Sequence, residues 1–136
     1  MANRKQVNKL RNKKVSVNGI LFDSKREASR YWELRMLERN GKISNLELQK
    51  EYELIPAQYE TFPRYGKKGQ RLKDGQRCIE QAVKYIADFV YTDNETGLEV
   101  VEDAKGYRDP KSATYAKFVI KRKLMLYIHG IKVREI

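Results

Sequence analysis

The hydrophobic and polar positions along the chain predict two helices separated by several strands. Apolar residues recur at helical spacing over residues 24–40, where Asn40-Gly41 supplies a stop signal, and again over residues 112–129 before Gly130. Apolar and polar residues alternate within residues 42–56, which indicates extended structure. A short strand is expected over residues 131–136.

Residues 83–106 predict a hairpin at the centre of the chain. Aromatic and β-branched residues of a first strand are followed by the turn-forming stretch Thr-Asp-Asn-Glu-Thr-Gly and by a returning strand. Because side chains alternate between faces along a strand, Asp103 and Lys105 share one face and Glu102 points to the other. A one-residue slip in register would put Glu102 on the active face instead, but the spacing to Lys105 favours Asp103. We therefore expect Asp88, Asp103 and Lys105 to lie close together.

Two shorter segments flank these elements. Residues 15–22 predict a strand or hairpin, with Asn18-Gly19 as a suitable turn. Residues 61–77 combine Pro63 with several glycines and basic residues, so we expect a basic loop. The order of elements predicts one α/β domain over residues 1–136, with a mixed central sheet flanked by helices and a basic tail of about 14 residues.

Composition limits the class of protein. A chain of 136 residues suits a single core, and no apolar run approaches the ~20 residues that span a bilayer. Cys78 is the only cysteine, which excludes an intrachain disulfide and argues against a four-ligand zinc site. The amino terminus lacks the apolar segment of a signal peptide, so we expect a cytoplasmic protein without a membrane partner.

The net charge of +11 indicates a polyanionic partner, and nucleic acid is the usual one. The alternative is a basic surface that maintains solubility or binds ribosomes or acidic lipid. Lys117 and Lys121 stand one turn apart on the second helix and would share a face, where they either contact phosphate or are merely solvated. The predicted loop offers a DNA clamp or a plain surface insertion, and its candidate phosphate contacts are Arg64, Lys67, Lys68 and Arg71.

Two acids and a lysine among apolar strand residues are costly to bury without a partner. Mg²⁺ is commonly held by one or two carboxylates together with water and substrate phosphate. Asp88 and Asp103 suit this role, so the sequence predicts a site for Mg²⁺ or Mn²⁺.

Ala87-Asp88, followed after the hairpin by Asp103-Ala104-Lys105, resembles the PD-(D/E)xK nuclease core, with Ala87 where a proline often stands. Residues 85–89 and 101–106 are similar to a family of small phage and prophage Holliday-junction-resolvase-like endonucleases. The resemblance extends over roughly residues 20–136 and implies a restriction-endonuclease-like core. It also implies that Asp88 and Asp103 hold the metal, while Lys105 orients water or offsets charge on the phosphate.

Glu27 has two interpretations. Ser24-Lys25-Arg26-Glu27 is a capping-box sequence, in which Glu27 would bond back to the start of the helix. The resemblance instead implies a first-helix glutamate that assists catalysis and metal binding, and we favour this role. Gln49 is either a polar contributor near the site or a solvent-facing strand residue.

Several substrates are compatible with the same residues. A resolvase acting in phage recombination or replication would cut branched DNA symmetrically, which requires a two-fold dimer. A transposase-like end-cutting subunit, or a flap or single-strand nuclease, would use the same side chains. A non-catalytic nucleic-acid-binding protein is the alternative of a different class, and the sequence does not distinguish DNA from RNA.

Overall fold

The computed structural model describes residues 14–105 and 108–136, so the predicted tail lies almost wholly outside the described residues. The elements in chain order are β1 (Val15–Val17), β2 (Ile20–Phe22), α1 (Lys25–Arg39), β3 (Ile43–Ile55), β4 (Gln58–Tyr65), β5 (Arg71–Glu80), β6 (Val83–Asp93), β7 (Glu99–Asp103), α2 (Ala113–His129) and β8 (Arg134–Glu135).

The central sheet has the strand order β3-β6-β7-β8. The pairs β3–β6 and β6–β7 are antiparallel, whereas β7 and β8 are parallel and are connected through α2. The sheet is therefore mixed, and the predicted α/β class is confirmed.

Both predicted helices form, and each is capped by a serine. The side chains of Ser24 and Ser112 accept hydrogen bonds from the backbone N–H groups of Glu27 and Tyr115. Gly130 ends α2 with a φ of +67°, a conformation that costs glycine little. Neither α1 nor α2, the helices of the described residues, is long and apolar enough to cross a membrane.

Apolar side chains form two cores, one with each helix. Val90 and Phe89 of β6 belong to different cores, so this central strand contributes to both. The α1-side core contains Phe22, Ala28, Tyr31, Leu34, Ile43, Phe89 and Tyr91. The α2-side core contains Tyr52, Leu54, Tyr85, Ala87, Val90, Val101, Phe118, Met125 and Val133.

The side-chain alternation of β3 and β6 changes at the middle of their ladder. Leu48 packs against the α1-side core and Tyr52 lies in the α2-side core, although regular alternation would put both on one face. Gln49, between them, has a φ of +55°, which lies in the left-handed region. Asp88 lies at the equivalent break in β6, because Ala87 and Phe89 also belong to different cores.

Residues 61–77 do not form a loop, so that prediction is wrong. They belong to an antiparallel hairpin of β4 and β5, whose strands pair only with each other within the described residues. We call residues 58–80 the arm.

The glycine and proline residues of the arm have specific places in the hairpin. Pro63 lies at a register shift between Phe62 and Arg64, where the regular ladder is interrupted. The ring of Phe62 lies over Gly75, and a Cβ atom at Gly75 would come within 2.4 Å of the ring. These residues therefore accommodate the hairpin rather than prevent it.

Candidate active site

Asp88 and Asp103 meet at the end of the β6–β7 ladder. The last paired residues there are Phe89 and Glu102, and Asp88 and Asp103 come next along the two strands. The Ala104 N–H donates a hydrogen bond of 2.8 Å to Asp88 Oδ2. The backbone that follows β7 thus holds the Asp88 carboxylate beside Asp103.

Asp103 is buried, and its two carboxylate oxygens have different partners. The Tyr85 hydroxyl donates a hydrogen bond of 2.6 Å to Oδ2. Oδ1 lies 2.8 Å from Lys105 Nζ as an ion pair, yet no described group gives this buried oxygen a well-aligned hydrogen bond. Asp103 therefore retains an oxygen with unused capacity for a ligand.

Lys105 is held in place from three directions. Besides the ion pair with Asp103, its ammonium group lies 4.2 Å from the centre of the Phe118 ring, a cation–π contact. Its backbone N–H donates to the Ile136 carbonyl at 3.0 Å, while the Ile136 N–H donates to the Asp103 carbonyl at 3.0 Å. Asp88, Asp103 and Lys105 therefore lie close together, as the sequence predicted.

Negative charge accumulates around Asp88. Burial raises the pKa of its carboxyl group to about 7, with further contributions from the charges of Asp103 and Glu27. The Ala104 N–H and Lys105 act in the opposite direction. A divalent cation would relieve this repulsion.

Glu27 combines features of both interpretations of its role. Its backbone N–H is capped by the Ser24 side chain at 3.2 Å. Its carboxyl group has a raised pKa because of burial first and of the nearby Asp23 and Asp103 charges next, while the Asp23 backbone N–H favours ionisation. Glu27 also lines the same cleft as Asp88. One residue thus supports the helix start and faces the site.

The described residues fit a cation held by two carboxylates. Within residues 14–105 and 108–136, no group of three or more His, Cys, Asp or Glu side chains is placed to hold a metal ion. Mg²⁺ needs only one or two carboxylates when water and phosphate complete its shell. Asp88 and Asp103 with its unsatisfied Oδ1 meet that requirement, and a ligand role for Glu27 stays a prediction.

Two clefts adjoin the site. The first has a volume of about 250 Å³ and lies between the β1–β2 hairpin, Glu27, Gln49 and Asp88. The second, also of about 250 Å³, is lined by Asp103, Lys105 and the first half of α2. The two aspartates therefore border different clefts, and an extended ligand passing over them would contact both.

Sequence comparison assigns the chain to a family. Residues 7–133 match the family described as "Protein of unknown function (DUF1064)". The chain belongs to the DUF1064 family. No curated protein and no solved structure matches it.

The predicted nucleic-acid contacts of this DUF1064 chain fall into two groups. Lys117 and Lys121 line the second cleft together with Asp103 and Lys105. The other four residues lie on the arm, outside both clefts: Arg64, Lys67, Lys68 and Arg71.

Glu102 of the DUF1064 chain faces away from the site. It is fully buried on the α1 side, where it accepts hydrogen bonds from Arg30 Nε at 2.9 Å and from the Tyr91 hydroxyl at 2.7 Å. The alternation of β7 thus separates Glu102 from Lys105, as predicted.

Sequence reasoning missed Tyr85, Phe118 and the Ala104 N–H. Regular alternation puts Tyr85 and Asp88 on opposite faces, and only the break at Asp88 lets both serve one site. Phe118 has the ordinary appearance of a helix core residue. Gln49, left open by the sequence, lies in the first cleft with Nε2 3.3 Å from Asp88 Oδ1.

Proposed function

We propose that this DUF1064 protein is a divalent-cation-dependent nuclease that hydrolyses phosphodiester bonds in DNA, with branched DNA as its preferred substrate. The observation that carries the proposal is the meeting of Asp88, Asp103 and Lys105 at one end of the central sheet. A buried oxygen of Asp103 without a hydrogen bond supports a cation ligand there.

Asp88 and Asp103 are the residues that would hold Mg²⁺ or Mn²⁺. When bound, such a cation polarises the phosphate and lowers the pKa of bound water. Tyr85 and the Ala104 N–H keep the two carboxylates in fixed orientations, which reduces the reorganisation needed during the reaction.

Lys105 is the residue proposed to stabilise the reacting phosphate. Its ammonium group is fixed by Asp103 and by the Phe118 ring, so it is preorganised toward negative charge that develops near the two aspartates. Glu27 would assist from the first cleft, where burial and the nearby Asp23 and Asp103 charges raise the pKa of its carboxyl group.

Lys117 and Lys121 are the proposed contacts for the DNA strand near the reacting phosphate. They lie in the cleft that contains Lys105, and Thr114 in the same cleft adds a hydroxyl group. Phosphate contacts of this kind position a strand without reading its sequence. A preference for branched DNA is supported by the resemblance of residues 85–89 and 101–106 to resolvase-like endonucleases, and it requires a two-fold dimer.

A cleavage assay tests the proposal. Labelled four-way junction, flap, single-stranded and linear duplex DNA are incubated with the protein in Mg²⁺, in Mn²⁺ and in EDTA. We expect cation-dependent cutting that Asp88→Asn and Lys105→Ala each reduce at least a hundredfold while DNA binding persists. Glu95→Gln and Lys123→Ala neutralise exposed residues outside both clefts and serve as matched controls.

The ranking of substrates decides between related activities. Preferred, symmetric cutting of the junction supports a resolvase, whereas preferred cutting of flaps or ends supports an end-cutting or flap nuclease. Tight binding without cleavage in any cation would leave a non-catalytic nucleic-acid-binding protein and would overturn the proposal.

A further inference from the structure

The arm stands apart from the body of the protein. No residue of β4 or β5 is buried, and none of residues 56–82 belongs to either core. Tyr59, Tyr65 and Ile79 expose half or more of their surface. A two-stranded hairpin gains little stability by itself in water, so such an exposed one suggests a binding partner.

The end of the arm is strongly basic. Residues 61–73 contain five basic residues and no acidic residue. Arg71 pairs with Asp74, which leaves the remaining four without an ion pair among the described residues. Those four are Arg64, Lys67, Lys68 and Lys73. This charge is complementary to a polyanion.

The turn at the end of the arm has a defined shape. The Gly66 N–H donates to the Gln70 carbonyl at 2.8 Å, and the Gly69 N–H donates to the Gly66 carbonyl at 2.9 Å. Gly69 has a φ of +78°, which lets the chain reverse within a few residues. Lys67 and Lys68 therefore lie at the outermost point of the hairpin.

Internal contacts stiffen the arm without a core. Arg77 lies 5.2 Å from the Phe62 ring centre and pairs with Glu60, and Arg71 lies 5.8 Å from the Tyr65 ring centre. These contacts cross between the two strands. A ribbon ordered in this way loses less conformational entropy when it binds.

We infer that the arm is a β-ribbon that lies in a groove of double-helical nucleic acid next to the cleavage site. The major groove of B-DNA is about 12 Å wide and accepts a two-stranded ribbon. The eight residues of β4 span about 26 Å, which is comparable to the axial length of several base pairs. The inference rests on the proposed function for the identity of the polymer.

The position of the arm relates it to Asp88. The arm leaves the central sheet at the paired residues Ile55 and Val83, and Asp88 lies five residues further along β6. That separation is about 16 Å along the strand. The base of the arm therefore lies within about one helical turn of Asp88, and duplex bound along the arm would flank the cut, so the proposed substrate has a double-stranded flank.

Binding measurements without catalysis test this inference. Fluorescence anisotropy is recorded in EDTA for a 20-base-pair duplex and a 20-nucleotide single strand over a range of salt concentrations. One variant replaces residues 62–75 with Asn-Gly, so that Thr61 and Gln76 remain the last strand pair. A second variant changes Arg64, Lys67, Lys68 and Lys73 to glutamine and keeps the arm.

We expect both variants to lose duplex affinity tenfold or more and to show a shallower salt dependence, because fewer phosphates are neutralised. Binding of the single strand should change less than threefold. The charge-matched control changes Arg39, Lys42, Lys123 and Lys132, which are exposed residues outside the arm, and should retain most duplex affinity. Circular dichroism confirms that each variant is folded.

Three results would overturn the inference. The arm variants could bind duplex as tightly as the native protein, or they could lose no more affinity than the control. Sedimentation could instead show a native dimer and a monomeric arm variant, which would make a second copy the partner. These binding measurements do not depend on cleavage. A protein that binds duplex through its arm but cuts no DNA would therefore refute the nuclease proposal and leave the inference about the arm intact.

Discussion

The fold makes ionisation of the Asp88 carboxyl group less favourable than it is in the unfolded chain. Burial and the neighbouring carboxylates raise its pKa to about 7, above the value of about 3.9 of an unfolded aspartate. The folded chain therefore binds this proton more tightly than the unfolded chain does. This contribution favours folding at low pH and is lost as the pH rises from about 4 through 7.

Asp88→Asn should therefore stabilise the cation-free protein at pH 8. The amide keeps an oxygen that can accept from the Ala104 N–H, while the charge repulsion disappears. We expect a gain on the order of 2 kcal/mol in the free energy of unfolding at pH 8 and a smaller gain at pH 5. Urea denaturation in EDTA at both pH values measures it, with Glu95→Gln as the control. A variant that is less stable than the native protein at pH 8 would contradict this electrostatic picture.

Asp88→Asn should weaken cation binding, although the same change should stabilise the cation-free protein. Millimolar Mn²⁺ should raise the melting temperature of the native protein at pH 8, because a ligand of the folded state stabilises it. The rise should shrink at pH 6, where protons compete for a group whose pKa is about 7. Asp88→Asn should lose most of the rise, and Glu95→Gln should keep it. An equal rise in the native protein and Asp88→Asn would remove the carboxylate pair from consideration as the cation site.

At the scale of elements, a buried ion pair joins α1 to β7. Glu102 is fully buried and is bound by Arg30 of the helix and by Tyr91 of β6. Its position on the opposite face from Asp103 lets one strand serve both the helix contact and the site. Removal of one partner leaves a buried charge, whereas removal of both does not.

Arg30→Met should lower the free energy of unfolding by about 3 kcal/mol, because the fully buried Glu102 carboxyl group loses the guanidinium that donates two hydrogen bonds to it. The double change Arg30→Met with Glu102→Leu should recover most of that loss. Urea denaturation of the two single variants, the double variant and Glu33→Gln measures the cycle. Glu33 pairs with Arg30 at the surface, so its change should cost less than about 1 kcal/mol. A double variant as unstable as Arg30→Met would argue against the ion pair as the cause.

The sequence predicted the elements whose side chains pack in a core. The two helices are indicated by apolar spacing, and the two hairpins by their turn residues. The arm was missed because neither of its faces is buried, so its strands show no alternation and only their glycine and proline residues were noticeable.

The site could be predicted as far as regular alternation reaches. The spacing of Asp103 and Lys105 favoured Asp103 over Glu102 as the site residue, although a one-residue slip in register would have exchanged the two acids. The contributions of Gln49 and Tyr85 depend on a non-glycine residue with positive φ and on the break at Asp88. These features arise from the packing of two cores on one sheet, which local sequence does not encode.

At the scale of the whole molecule, the described residues form a central sheet with a core on each side and an arm outside both cores. Asp88 lies where the side-chain alternation of β6 between the two cores is broken, so the packing of both cores fixes the site. The arm contributes to neither core. Stability and duplex binding are thus assigned to different parts of the chain.

Because the two cores are separate, the free-energy costs of substitutions in them should be additive. Leu34→Ala in the α1-side core and Val133→Ala in the α2-side core should each cost about 2 kcal/mol or more, because both side chains are buried. Since these residues belong to separate cores, the costs should add to within about 0.5 kcal/mol in the double variant.

Replacement of residues 62–75 by Asn-Gly should leave the free energy of unfolding within about 0.5 kcal/mol of the native value. Urea denaturation followed by circular dichroism and by the fluorescence of Trp32 should give one coincident transition. A large loss on shortening the arm would show that the hairpin packs on the body, and strong coupling between Leu34 and Val133 would show that the two cores act as one.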